Sequence, residues 1–77
     1  MSYVIKDNLP DGIIKPTGRF SNRTVVALYF SGLYNHLITN FYSATIFLRN
    51  ESDKELRGTI KVEIDGFYYY IEVFKED

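Results

Sequence analysis

Asp65-Gly66 stands between two runs of alternating apolar and polar residues, Arg57 to Ile64 and Phe67 to Phe74. No other feature of this chain restricts its fold as strongly. Asp-Gly tolerates the positive φ angles that let a two-residue turn match the twist of the strands it joins. The spacing therefore predicts an antiparallel hairpin. Ile64 lies opposite Phe67, Val62 opposite Tyr69, and Ile60 opposite Ile71. Those side chains share one face with Val73 and make a candidate core. Thr59, Lys61 and Glu63 stand on the other face, with Tyr68, Tyr70, Glu72 and Phe74. A slip of one residue would bury Lys61 and Glu63, so the register is strongly specified.

Tyr42 to Leu48 also alternates, with Tyr42, Ala44, Ile46 and Leu48 to one side. It reads as a half-buried strand and completes a three-stranded meander. The segment between, Arg49 to Leu56, is charged and reads as an exposed loop.

Ser21 to Asn40 admits two readings. Val26, Phe30, Leu33, Leu37 and Phe41 fall at helical spacing on one stripe, with Leu28 an apolar exception on the opposite face. Against this, Val, Tyr, Phe, Thr and Asn are weak helix formers, and Gly32 costs about 1 kcal/mol in a helix interior. Tertiary context overrides propensity more readily than periodicity, so a helix over 22–40 is the reading preferred. Ser21 or Asn22 would cap it. The alternative is two strands turning at Ser31-Gly32. Further upstream, Tyr3-Val4-Ile5 is a short extended piece, Asn8 to Gly12 a turn, and Ile13-Ile14-Lys15 a second short strand closed by Pro16-Thr17-Gly18. The fold class expected is α+β: one helix packed on a three-stranded antiparallel β-meander. A small all-β sandwich or barrel is the alternative.

Seventy-seven residues make one domain, 1–77, with no cysteine to staple it. Zinc sites of the Cys₄ and Cys₂His₂ kind are excluded, since His36 is the one histidine. No cofactor is implied. The first residues lack the basic and apolar regions of a signal peptide, and no apolar run is long enough to span a bilayer. The expectation is a cytoplasmic protein without membrane contact.

Catalytic patterns are sparse. His36 flanks the apolar stripe, and no Gly-x-Ser-x-Gly or comparable motif accompanies it. An enzyme centred on His36 is a minor reading. Glu51, Asp53 and Glu55 lie in the charged loop without the glycine or the spacing of a calcium loop. Lys15, Arg19 and Arg23 could form an anion or single-stranded nucleic-acid patch near the helix start. The net charge of −1 weighs against nucleic acid, as do Glu63 and Glu72 beside Lys61 on the outer hairpin face. Charge is uneven along the chain. Residues 1–38 carry four basic and two acidic side chains, and residues 39–77 carry five and eight.

Aromatics are abundant, with seven Tyr and six Phe. Tyr68, Tyr70 and Phe74 fall on the face opposite the core, where burial within the hairpin does not account for them. Tyrosine is enriched at interfaces. The function expected is thus a non-enzymatic protein-binding or self-associating module. Its partner is another protein or a second copy, and its surface is Lys61, Glu63, Tyr68, Tyr70, Glu72 and Phe74. Small acidic domains of this kind often serve as accessory or inhibitory factors, as in phages. If the last strand lay at a sheet edge, it would also offer a backbone for pairing.

Overall fold

The computed structural model describes residues 2–16 and 18–76, so Thr17 of the Pro16-Thr17-Gly18 break lies outside the described residues. Among them the elements are β1 (Ser2–Asp7), β2 (Arg19–Phe20), α1 (Arg23–Thr39), β3 (Ser43–Arg49), β4 (Arg57–Ile64) and β5 (Phe67–Glu76). The strands form one antiparallel sheet in the order β2-β1-β5-β4-β3. The helix covers one face of it. This is the α+β arrangement expected, with two strands more than the meander. Ile13 to Lys15 is not a strand. The N-terminal segment instead pairs along β5, from Ser2 opposite Glu76 to Asp7 opposite Ile71. That pairing corrects the placement of the last strand. β5 is central in the sheet, because β1 occupies the edge that the hairpin alone would leave open.

The hairpin has the register that Asp65-Gly66 implies, with Ile64, Val62 and Ile60 opposite Phe67, Tyr69 and Ile71. Both turn residues have positive φ, 52° at Asp65 and 83° at Gly66, as a type I′ turn requires. Ile60, Val62, Ile71 and Val73 are fully buried beneath Val26, Phe30, Leu33 and Leu37 of α1. Burying each such side chain contributes about 1.5–3 kcal/mol, which is why the helix docks despite its weak propensity. Phe67 shares the core face by register but is exposed at the hairpin tip, beyond the reach of the helix. Leu56, in the stretch read as an exposed loop, is fully buried in the core. A single apolar residue at the end of a charged run carries no periodicity to announce it.

Asn22 caps α1, its side chain accepting from the Val25 N–H at 3.0 Å. The other end corrects the expected stripe. Phe41 is not in the core: it is 96% exposed, with φ of 66°. Phe41 N–H donates to Ile38 C=O and Tyr42 N–H donates to Leu37 C=O. This is a Schellman stop, whose left-handed position normally holds glycine. The chain reverses here, so the helical period ceases to describe where the next side chain points.

Gly58 on β4 is set by a close approach. A Cβ there would lie 2.7 Å from the Phe30 ring, 2.9 Å from Val73 and 3.0 Å from Leu48. We expect Gly58→Ala to destabilise the fold by about 1–3 kcal/mol, read as a lower midpoint in chemical denaturation. Phe41→Gly should act in the opposite direction. It relieves the left-handed backbone and forfeits no burial, so a gain on the order of 0.5–1 kcal/mol is expected in the same measurement.

Candidate functional site

The helix covers one face of the sheet; the other face is closed over Val4, which is 6% exposed, and open around Tyr68, Tyr70 and Phe47. Cross-strand register assigns this second face residue by residue. Tyr68 and Tyr70 lie opposite Glu63 and Lys61, which lie opposite Ser43 and Thr45. Glu72 stands between Lys6 and Thr59, with Phe47 beyond Thr59. Phe74 and Arg19 flank Val4. Arg49 and Arg57 face one another at the far end.

The rings on this face are accessible. Tyr68 is 55% exposed, Tyr70 40% and Phe47 61%, while Phe74 is half-buried. Their positions are braced. The Lys61 ammonium lies 4.1 Å from the centre of the Tyr68 ring, and that of Lys6 lies 5.7 Å from Phe74. Both distances fall within the range of cation–π attraction. The Tyr70 backbone N–H donates to Asn8 Oδ1 at 2.8 Å, and Tyr70 C=O accepts from Asn8 N–H at 3.2 Å. The side chain of Asn8 thereby extends the β1–β5 ladder past the end of β1. The N-terminal segment lies beside these rings in the sheet; its Lys6 reaches over Phe74, while Tyr68 and Tyr70 stay open.

The electrostatic setting differs from the one read from the hairpin alone. Glu63, Glu72 and Glu76 are acidic, but neighbouring strands bring Lys6, Arg19, Arg49 and Arg57 beside Lys61. The face therefore carries a basic excess, although the chain is acidic overall. Two-strand reasoning missed this because three of the five strands lie outside the hairpin. Phe47 was left out although the meander already placed its strand in the sheet and its alternation with Ile46 and Leu48 set it on the outer face. The recesses here are shallow, and one is lined by Ser43, Thr45, Lys61, Glu63 and Tyr68.

The three cations considered for anion binding have partners within the chain. Arg19 pairs with Glu76 at 2.6 Å and donates to Ser2 Oγ at 3.1 Å. Lys15 lies 4.0 Å from Asp11 in an exposed turn. The Arg23 guanidinium donates to Asn50 Oδ1 and to the carbonyls of Glu51 and Lys54. Arg23 is thus a clip that holds the 50–54 loop to the start of α1. His36 is exposed near the end of α1, with its ring 3.5 Å from the Asn40 side-chain amide. No cluster of three or more His, Asp or Glu suited to a metal occurs among the described residues. No helix among them is long and apolar enough to cross a membrane.

Comparison with known protein families, curated proteins and solved structures finds no match to this chain. What the molecule's own geometry defines is an antiparallel sheet with one helical layer and one bare aromatic face.

Removing the Arg23 clip has a local signature. Arg23→Ala is expected to cost on the order of 1 kcal/mol, since its bonds are solvent-accessible. Hydrogen exchange at the Lys54 N–H, which donates to Glu51 C=O, should accelerate more than exchange in the sheet.

Proposed function

We propose that this chain is a non-enzymatic protein-binding module and that its contact surface is the uncovered sheet face around Tyr68, Tyr70 and Phe74. The observation that carries this reading is the exposure of Tyr68, Tyr70 and Phe47 on a rigid sheet with no second layer above it. Rings held by backbone ladders lose little conformational freedom on binding, which favours them as interface anchors. Contiguous exposed aromatic surface on a small domain is otherwise a liability for aggregation. The positive charge left without a carboxylate on this face, at Arg49 and Arg57, favours a partner surface that is apolar with an acidic rim at that end. Such a module acts as a cytoplasmic accessory or inhibitory factor, by occupying a surface of another protein.

Single-stranded nucleic acid is the competing ligand, because rings and cations on a sheet are also a stacking platform. Three features favour protein. Glu63 and Glu72 sit among the rings, Lys61 and Lys6 are engaged with ring faces, and Arg19 is paired with Glu76. Each reduces the positive charge open to phosphate.

The test compares the wild-type chain with a Tyr68→Ser/Tyr70→Ser variant. Both residues are half or more exposed or nearly so, and the double variant should unfold within about 1 kcal/mol of wild type. As bait in a lysate of its source, the wild type should retain a protein that the variant releases. Equal retention, or none, overturns the reading. Titration with single-stranded oligonucleotides across a salt series separates the competitor. Binding that weakens steeply with salt would assign the face to nucleic acid.

A further inference from the structure

The two edges of the sheet are finished differently. A two-residue hairpin makes its flanking pair exchange both backbone hydrogen bonds, which fixes the alternation across the whole ladder. Two bonds agree with it: Asn8 N–H donates to Tyr70 C=O, and Ile5 N–H donates outward to Gly18 C=O at 2.9 Å. On the β1 side, Gly18, Arg19 and Phe20 therefore take up the outward backbone groups. On the β3 side nothing among the described residues does. The same alternation turns Ser43, Thr45, Phe47 and Arg49 toward β4, and leaves the N–H and C=O of Ala44, Ile46 and Leu48 facing outward.

This open edge has none of the usual protection. β3 contains no proline, and its one charge, Arg49, is at its end. Ala44, Ile46 and Leu48 point toward the core yet are only partly buried, whereas Ile60 and Val62 of β4 are fully buried. Phe41, strained and exposed, stands immediately ahead of the strand. Arg49 and Arg57 lie directly opposite each other, which is unfavourable for like charges; Arg49 Nε donates to the Glu55 carbonyl at 3.2 Å, and no carboxylate among the described residues pairs with either guanidinium.

We propose that β3 pairs antiparallel with β3 of a second copy of this chain, about a two-fold axis at Ile46, to give one continuous sheet. This register sets Ala44 opposite the second copy's Leu48 and Ile46 opposite its own equivalent. All three are outward-facing positions, so each pair exchanges both backbone bonds. On the helix side, the half-covered aliphatic side chains close against their equivalents. On the bare side, Phe47 meets Thr45 of the second copy. Charge selects this register over its neighbours. Arg49 falls in the row of the second copy's Ser43 and Glu63, so the arginine pair gains a carboxylate. Sliding two residues one way would instead put Arg49 in the row of Lys61. Within one chain Arg49 and Glu63 lie at opposite ends of the β3–β4 ladder and cannot meet. The two-fold places both bare aromatic faces on one side of the joined sheet.

A seam one strand long buries less than the ~1,200–2,000 Å² of a stable interface, so the dimer should be concentration-dependent. Light scattering over a series reaching NMR concentrations should show monomer passing to dimer. Amide exchange at Ala44, Ile46 and Leu48 should slow across the same series. Arg49→Glu sets two carboxylates together at each end of the seam and should weaken dimerisation by about tenfold or more. Arg49→Glu/Glu63→Arg should restore it, a rescue that only contact between chains can produce. A chain that is monomeric throughout, with those amides exchanging freely, overturns the proposal. So does a dimer in which those amides stay unprotected, or one indifferent to Arg49→Glu. The Tyr68→Ser/Tyr70→Ser variant leaves the seam intact and should dimerise as wild type does, which separates this proposal from the role of the bare face.

Discussion

The type I′ turn at Asp65-Gly66 sets an alternation that reaches every strand of the sheet. It places Ile60, Val62, Ile71 and Val73 on one side and Lys61, Glu63, Tyr68 and Tyr70 on the other. The helix has one apolar surface to dock on, and it docks there. The same alternation directs alternate backbone groups of β5 to β1, and alternate groups of β4 to β3. A sheet with period two has no intermediate state between these arrangements. Chemistry on the bare face and hydrogen bonding at the edges are thus consequences of one turn.

Against that sheet the helix is held by shape more than by intrinsic propensity. Phe30 descends onto Gly58, where any side chain on β4 would collide with it. Asn22 satisfies the start of the helix and a Schellman arrangement satisfies its end. Phe41 at that end is the one position where local geometry and residue type disagree. A left-handed backbone suits glycine, and an exposed ring gains nothing from the core. Its neighbour in the chain is the open strand, where apolar surface and unpaired backbone also remain.

The functional character of the molecule follows from what the helix leaves uncovered. One layer on a five-stranded sheet buries one face. The second face keeps its rings and charges in water, ordered in rows by the ladder. Lys61 over Tyr68 and Lys6 over Phe74 lower the cost of exposing those rings and hold them in place. Recognition by such a surface depends on a partner that matches a fixed pattern.

Local signals in the sequence were enough to determine the hairpin, its register and the alternation of β3, and to favour a helix over two strands, with Ser21 or Asn22 as its cap. Each rests on interactions between residues near in sequence, through turn geometry or a repeating period. The pairing of β1 with β5 was not legible, because Tyr3-Val4-Ile5 reads the same whether it lies over a sheet or beside one. Leu56 and Phe41 were misplaced because each lies at a chain reversal, where periodicity no longer predicts direction. The same limit governed the candidate surface. Tyr68, Tyr70 and Phe74 could be assigned to one face from alternation alone. Phe47 joining them followed from the meander and its alternation, whereas the surrounding charge turned from acidic to basic only because β1 and β2 brought Lys6 and Arg19 onto the face. Tertiary structure also made the two edges unlike, since Gly18 and Arg19 reach β1 and no described residue reaches the outer side of β3. Period-two and period-3.6 patterns say which way a side chain points. Strand order, settled by burial of the whole chain at once, says what it points at.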